Sequence, residues 1–165
     1  MTSRWMLPFF AVAALLGFGA APASAQTYVL TATLTGAGEA TQTTNGINTG
    51  AFGDATVIID MGARTVTYRV NVWNLPSGVT ASHIHVGAAN TAGAVVVNFT
   101  VPAGASNDFS YNGVVQDTAF ALNPNAGIRS ADDMFQAILG GNSYVNVHST
   151  VNPGGEIRGQ LILKP

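Results

Sequence analysis

The stretch that decides the fold is Thr65–Trp73, which reads TVTYRVNVW. Its apolar side chains occupy every second position: Val66, Tyr68, Val70 and Val72. A period of two puts successive side chains on opposite faces of an extended chain, so this pattern is typical of a β-strand with one buried face. Ala55–Asp60, ATVIID, precedes it, and only Met61–Arg64 lies between them. The two runs therefore predict a hairpin closed by a short turn that contains glycine.

Six further strands are predicted, in segments that are rich in β-branched and aromatic residues and are bounded by turn-forming residues. They are Tyr28–Thr35, Ala81–Val86, Ala94–Val101, Asp108–Val115, Ser143–His148 and Glu156–Leu163. Between the strands, Gly36–Gly50 is dense in Gly, Thr and Asn and is expected to be a loop.

One helix is predicted before the last strands. Ser130 is its expected N-cap, Asp132 and Asp133 lie in its first turn, and Gly140-Gly141 ends it. Together the elements predict an all-β fold. We expect an antiparallel, Greek-key-like β-sandwich or flattened barrel of about eight strands with one short helix.

The first 25 residues have the composition of a secretory signal peptide. Arg4 precedes an apolar run, Met6–Ala21, and Ala23-Ser24-Ala25 forms an A-x-A cleavage signal. The alternative is a transmembrane anchor, but the run contains Pro8 and is shorter than the roughly 20 residues that a spanning helix needs. We therefore expect cleavage near Ala25-Gln26, a single β domain over 26–165 with no membrane anchor, and a secreted or periplasmic location.

Composition excludes several classes of function. The 165 residues carry 6 Lys+Arg and 8 Asp+Glu, for a net charge of −2. Nucleic acid is not an expected partner, because phosphate binding requires a basic patch. The absence of cysteine excludes disulfides, thiolate metal sites and thiol catalysis.

The three histidines of the chain are His83, His85 and His148. His83 and His85 are two residues apart in a predicted strand, so their side chains share one face. His148 ends a second predicted strand, Ser143–His148, on the face opposite its valines. If the two strands are neighbours, the three imidazoles converge and suit Zn²⁺ or Cu²⁺ with an open fourth position. The alternative is an outward polar face in which each ring bonds to a loop.

A second polar group surrounds the last strand. Gly154-Gly155 permits a tight turn, and Glu156 and Arg158 then lie on one strand face, where they suit a small ionic network. Glu39 is expected either to pair with Arg158 or to orient a histidine. With Asn146, these residues form a predicted network that supports the fold or the histidines. No catalytic residue is predicted, since the sequence lacks nucleophile-elbow, P-loop and dinucleotide-binding motifs.

The order of these motifs resembles the CHRD domain, the module first named in chordin. The matching segments are Leu34–Glu39, Ala81–Gly87, Ala94–Val96, Tyr144–Ser149 and Gly155–Leu161. The resemblance implies an all-β extracellular module to which no enzymatic activity is generally attached. Two departures are Ala40-Thr41-Gln42, where the family usually has a prolyl stretch, and Thr118–Ala131, which looks like an added loop.

A weaker similarity is to the copper side of Cu/Zn superoxide dismutase, another β-sandwich. A dismutase of that type needs a fourth copper-side histidine and further zinc ligands, and this chain has three histidines in all. Three hypotheses stay open: a binding module with copper or zinc on its histidines, a purely structural protein, and a copper- or zinc-dependent metalloenzyme. We rank the enzyme last. The partner is expected to be an unidentified protein or small ligand.

Overall fold

A computed structural model describes residues 26–40 and 46–165. In this part the chain forms nine β-strands and one α-helix. Their bounds are β1 Thr27–Thr35, β2 Phe52–Asp60, β3 Thr65–Leu75, β4 Val79–Val86, β5 Ala94–Asn98, β6 Asn107–Gln116, α1 Ala131–Leu139, β7 Ser143–Ser149, β8 Ile157–Gln160 and β9 Ile162–Leu163.

The strands form one antiparallel sheet in the order β5-β4-β7-β8-β1-β2-β3-β6, with β9 beside β1. The sheet curls into a nearly closed barrel, which confirms the predicted all-β class and the single short helix. Its two ends approach each other near Thr100, which follows the end strand β5. The Thr100 N–H donates at 2.9 Å to the hydroxyl of Tyr68 on β3, the strand beside the other end strand, β6. The β2–β3 hairpin has the predicted turn over residues 61–64.

The core lies inside the curled sheet and follows the alternation of the sequence. Leu30, Ala32 and Leu34 on β1 face inward, and the register places Leu30 opposite the buried Val57 of β2. Helix α1 packs Met134, Phe135 and Ile138 onto this core. Apolar surface is thus removed from water on one face of nearly every strand, which is the main stabilising contribution to such a fold.

Two predicted strands differ from the observed ones. The prediction for Ala94–Val101 was too long, because β5 ends at Asn98 and the chain then turns across the sheet end. The prediction for one strand over Glu156–Leu163 was wrong. Leu161 separates β8, which pairs with β7 and also with β1 at Arg158, from β9, which pairs with β1 alone. A hydrophobic pattern does not record such a change of partner.

The predicted signal peptide, Met1–Ala25, lies outside the described residues. Among the helices of the described residues, none is long and apolar enough to span a membrane.

Candidate metal centre

Strands β4 and β7 are neighbours, and their register brings the three histidines together. His83 is opposite Asn146, and His148 is opposite Ala81. Ile84, between His83 and His85, and Val147, which precedes His148, are fully buried in the core. The imidazoles therefore lie on the outer face of the sheet, as the alternation of the sequence predicts.

The three rings form a compact group of nitrogen donors. His83 Nδ1 is 3.1 Å from His148 Nε2, and one ring nitrogen from each of the three histidines lies within 4.8 Å of the others. Among the described side chains, no carboxylate belongs to this group. A donor set of neutral imidazoles suits Zn²⁺ and copper rather than Mg²⁺ or Ca²⁺, which prefer oxygen ligands.

Two of the rings are held by backbone carbonyls. His85 Nδ1 donates to Gly93 O at 3.0 Å, and His148 Nδ1 donates to Pro153 O at 2.9 Å. A neutral imidazole carries one proton, so these bonds leave both Nε2 atoms unprotonated. His148 Nε2 therefore accepts its bond from His83 Nδ1. His85 Nε2 is buried and has no hydrogen-bond partner in the described part of the chain.

The surroundings keep the three imidazoles neutral. Burial, together with the neighbouring His148 and His85, lowers the pKa of His83 to about 4. Burial also lowers the pKa of His85 to about 4, against the opposing effect of its bond to Gly93. The pKa of His148 is lowered for the same reason. At neutral pH each ring is in the form that binds a metal ion.

Two side chains are stacked behind His85. The Tyr144 ring packs against the imidazole with centroids 4.7 Å apart and an interplanar angle of 7°. The Arg158 guanidinium lies 3.3 Å from the centre of the Tyr144 ring. The Arg158 side chain is 1% exposed, and its charge contributes to the low pKa of His85.

Residues 30–161, from β1 to the end of β8 and including every residue of this site, match the CHRD domain. The chain belongs to the CHRD domain family. Comparison with curated proteins and with solved structures finds no match.

In this CHRD domain the buried acid Glu39 bonds to an amide and not to a histidine. Asn146 Nδ2 donates to Glu39 Oε2 at 2.6 Å, and the Ala40 N–H donates to Oε1 at 3.1 Å. Burial raises the pKa of Glu39, although the Ala40 bond, the Arg158 charge and the Asn146 bond oppose it. Gly155, at φ +137°, packs on this carboxylate, and a Cβ there would lie 2.4 Å from Oε2. Glycine is therefore required at this turn.

Glu156 does not pair with Arg158, so the predicted ionic network between them was wrong. Glu156 precedes β8, and its Oε2 accepts bonds from Ser149 Oγ at 2.7 Å and Asn152 Nδ2 at 2.6 Å. Burial raises the pKa of Glu156, but bonds from Thr49, Asn152 and Ser149 outweigh it and hold the pKa below its usual value. The carboxylate thus fixes the turn that carries Pro153, whose carbonyl holds His148.

The sequence did not identify the parts of the CHRD domain that hold the rings. Gly93 and Pro153 act through their carbonyl oxygens, which any residue possesses, so no residue type marks them. Tyr144 and Gln160 do lie inside the family motifs. Their contacts depend on the β7–β8 register, which pairs them, and the sequence alone does not give that register.

Proposed function

We propose that this protein is an exported CHRD-domain binding module, without catalytic activity, that holds one copper or zinc ion on His83, His85 and His148. One observation carries the proposal. The Nδ1 atoms of His85 and His148 are bonded to backbone carbonyls, so the Nε2 atom of each ring keeps a lone pair that a metal ion can bind. Metal-binding histidines are commonly oriented in this way, by a bond from the other ring nitrogen to a carbonyl or carboxylate.

The buried Nε2 of His85 supports the same assignment. A buried polar atom without a partner costs free energy, and a bound ion would supply the missing partner. Nitrogen donors about 2.0–2.1 Å from a tetrahedral ion are about 3.3 Å apart. His83 Nδ1 and His148 Nε2 already have this spacing, at 3.1 Å, and His83 would carry its proton on Nε2 instead of Nδ1 when it binds the ion. Binding then requires His85 to close on that pair, with the fourth position left for water, a small ligand or a partner group.

Export rests on the leader-like Met1–Ala25 segment and on the family, since CHRD domains are generally extracellular or periplasmic. Outside the reducing cytoplasm a thiol is readily oxidised, so a metal site in an exported protein is safer with nitrogen donors. This chain has no cysteine, so no thiol competes with the imidazoles for the metal. The surroundings proposed for it and the nitrogen-only donor set are therefore compatible.

Metal titration tests the proposal. Metal-free protein is titrated with Zn²⁺ and with Cu²⁺ against a competing chelator. We expect one ion per chain with a Kd below roughly 1 μM. The double variant His85→Ala plus His148→Ala should lose the site. Arg69→Gln, on the exposed face of β3, is the matched control and should bind as the wild type does.

Wild-type binding weaker than micromolar, or binding that the double variant keeps, would overturn the metal site. The alternative hypothesis, a copper- or zinc-dependent metalloenzyme, makes a separate prediction. Metal-loaded protein would then turn over superoxide or a hydrolysable ester faster than the same concentration of free ion. We expect no such excess.

A further inference from the structure

We propose that Arg158 and Gln160 are positioning residues for the metal centre. They hold the loop 87–93 between β4 and β5, and this loop fixes the imidazole of His85. This role rests on the proposed metal site, and it explains how one of the three ligands, His85, is held in position. The two residues come from β8, which contributes no ligand of its own to the group.

Side chains of β8 bind the loop through hydrogen bonds to its carbonyl oxygens. Arg158 Nη1 donates to Thr91 O at 3.0 Å, and Nη2 donates to Ala88 O at 2.7 Å. Gln160 Nε2 donates to Gly87 O at 3.2 Å, and Gln160 Oε1 accepts from Arg158 Nη2 at 3.1 Å. Three carbonyls of one seven-residue loop are thus bound by two side chains that lie two residues apart on the same face of β8.

The loop in turn binds the imidazole of His85 through a backbone carbonyl. At the end of the loop, the Gly93 N–H donates to the Tyr144 hydroxyl at 2.9 Å, and Gly93 O accepts from His85 Nδ1. A Cβ on Gly93 would lie 2.0 Å from Val86 O. The chain therefore passes too close to β4 for any other residue, and this closeness brings the Gly93 carbonyl to the imidazole.

The same guanidinium also supports His85 from behind. Arg158 lies on one face of Tyr144, and Tyr144 stacks on His85. A planar guanidinium can bind two carbonyls at its edge while its face covers an aromatic ring. A lysine has no such plane, so it cannot make both kinds of contact.

The test compares Arg158→Lys with the wild type. Arg158→Lys keeps the positive charge, so a change in binding reports lost geometry. We expect Zn²⁺ affinity to fall about 10–100-fold, the usual effect of removing a residue that orients a metal ligand, while the protein still binds one ion. Ile157→Val is the matched control. It alters the neighbouring residue on the core face, lowers stability and should leave affinity unchanged.

A second readout separates positioning from a general loss of stability. Long-range ¹H–¹⁵N spectra of the metal-free protein report which nitrogen of each histidine carries the proton. In the wild type His85 and His148 should both be protonated on Nδ1. In Arg158→Lys we expect His85 alone to become a mixture of tautomers, while His148 keeps its bond to Pro153. Gln160→Ala, which removes one loop bond only, should show a smaller change in the same direction.

The outcomes distinguish the two proposals. If the wild type binds no metal, the proposed function fails, and the His85 spectrum still decides whether Arg158 positions the ring. If Arg158→Lys does not fold, Gln160→Ala provides the same two readouts. Wild-type affinity together with an unchanged His85 tautomer in the variants that fold would overturn the positioning role.

Discussion

Burial of the three imidazoles has a cost that depends on pH. His83 and His85 have pKa values of about 4 in the folded protein, against an ordinary value of 6.5. An unfolded chain binds protons on these rings as pH falls below about 6.5, whereas the folded chain resists protonation until about pH 4. Folding stability from these groups is therefore complete above pH 6.5 and is lost as pH falls toward 4.

We predict that the metal-free protein loses stability between pH 7 and pH 5, measured as the denaturation midpoint in urea. In His83→Gln the decline should be shallower, because one of the groups that titrate differently in the two states is gone. Glu39, whose raised pKa acts in the opposite direction, is present in both proteins and does not affect the comparison. If the denaturation midpoint fell equally steeply with pH in both proteins, the lowered pKa of His83 would not contribute to the loss of stability.

At the level of single elements, α1 is the clearest case of local sequence deciding structure. The Ser130 side chain accepts from the Asp133 N–H at 3.1 Å, and Asp133 Oδ2 accepts from the Ser130 N–H at 2.9 Å. This reciprocal capping box satisfies backbone donors that have no partner within the helix. The helix begins at Ala131, as the sequence predicts.

Ser130→Ala should destabilise the protein by about 1 kcal/mol, since it removes the acceptor of this cap. Chemical denaturation measures the change. Ser130→Asp is the control, because aspartate caps helices as well as serine does, and it should retain nearly all of the stability. A loss as large in Ser130→Asp as in Ser130→Ala would show that the cap is not the cause. Metal affinity should be unaffected in both, since α1 provides no contact to the histidines.

Closure of the sheet is a property of the whole molecule, and Tyr68, on the strand beside the end strand β6, contacts the residues that follow β5 at the other end. Its ring stacks on Phe99, beyond β5, with centroids 3.9 Å apart, and its hydroxyl accepts from the Thr100 N–H. Tyr68→Phe keeps the stacking and removes the hydrogen bond. We expect a loss of about 1 kcal/mol in the free energy of unfolding.

Thermal and urea denaturation measure this loss. Tyr28→Phe, at a partly buried position on β1, is the matched control and should change the free energy of unfolding by less than about 0.5 kcal/mol. Equal losses in the two variants would mean that the Thr100 bond contributes nothing to closure.

Much of this fold could be predicted from the sequence because its signals are local. The alternation in Thr65–Trp73 and the capping residues of α1 each specify their own element. Convergence of His83, His85 and His148 could be stated only conditionally, since it depends on β4 and β7 being neighbours. The hydrogen bonds of Gly93 and Pro153 to the rings could not be predicted, because they are made by backbone atoms placed by distant parts of the chain.

The position of β8 in the sheet has a consequence for the order of folding. This four-residue strand lies between β7 and β1, so it joins the half that carries the histidines to the half formed by β1, β2, β3 and β6. The sheet therefore becomes continuous only when β8, near the C-terminal end of the domain, pairs with β1 near its N-terminal end. A nascent chain can form the β1–β2–β3 meander early, but loop 87–93 and the ring of His85 take their final positions only when residues 157–160 have been made.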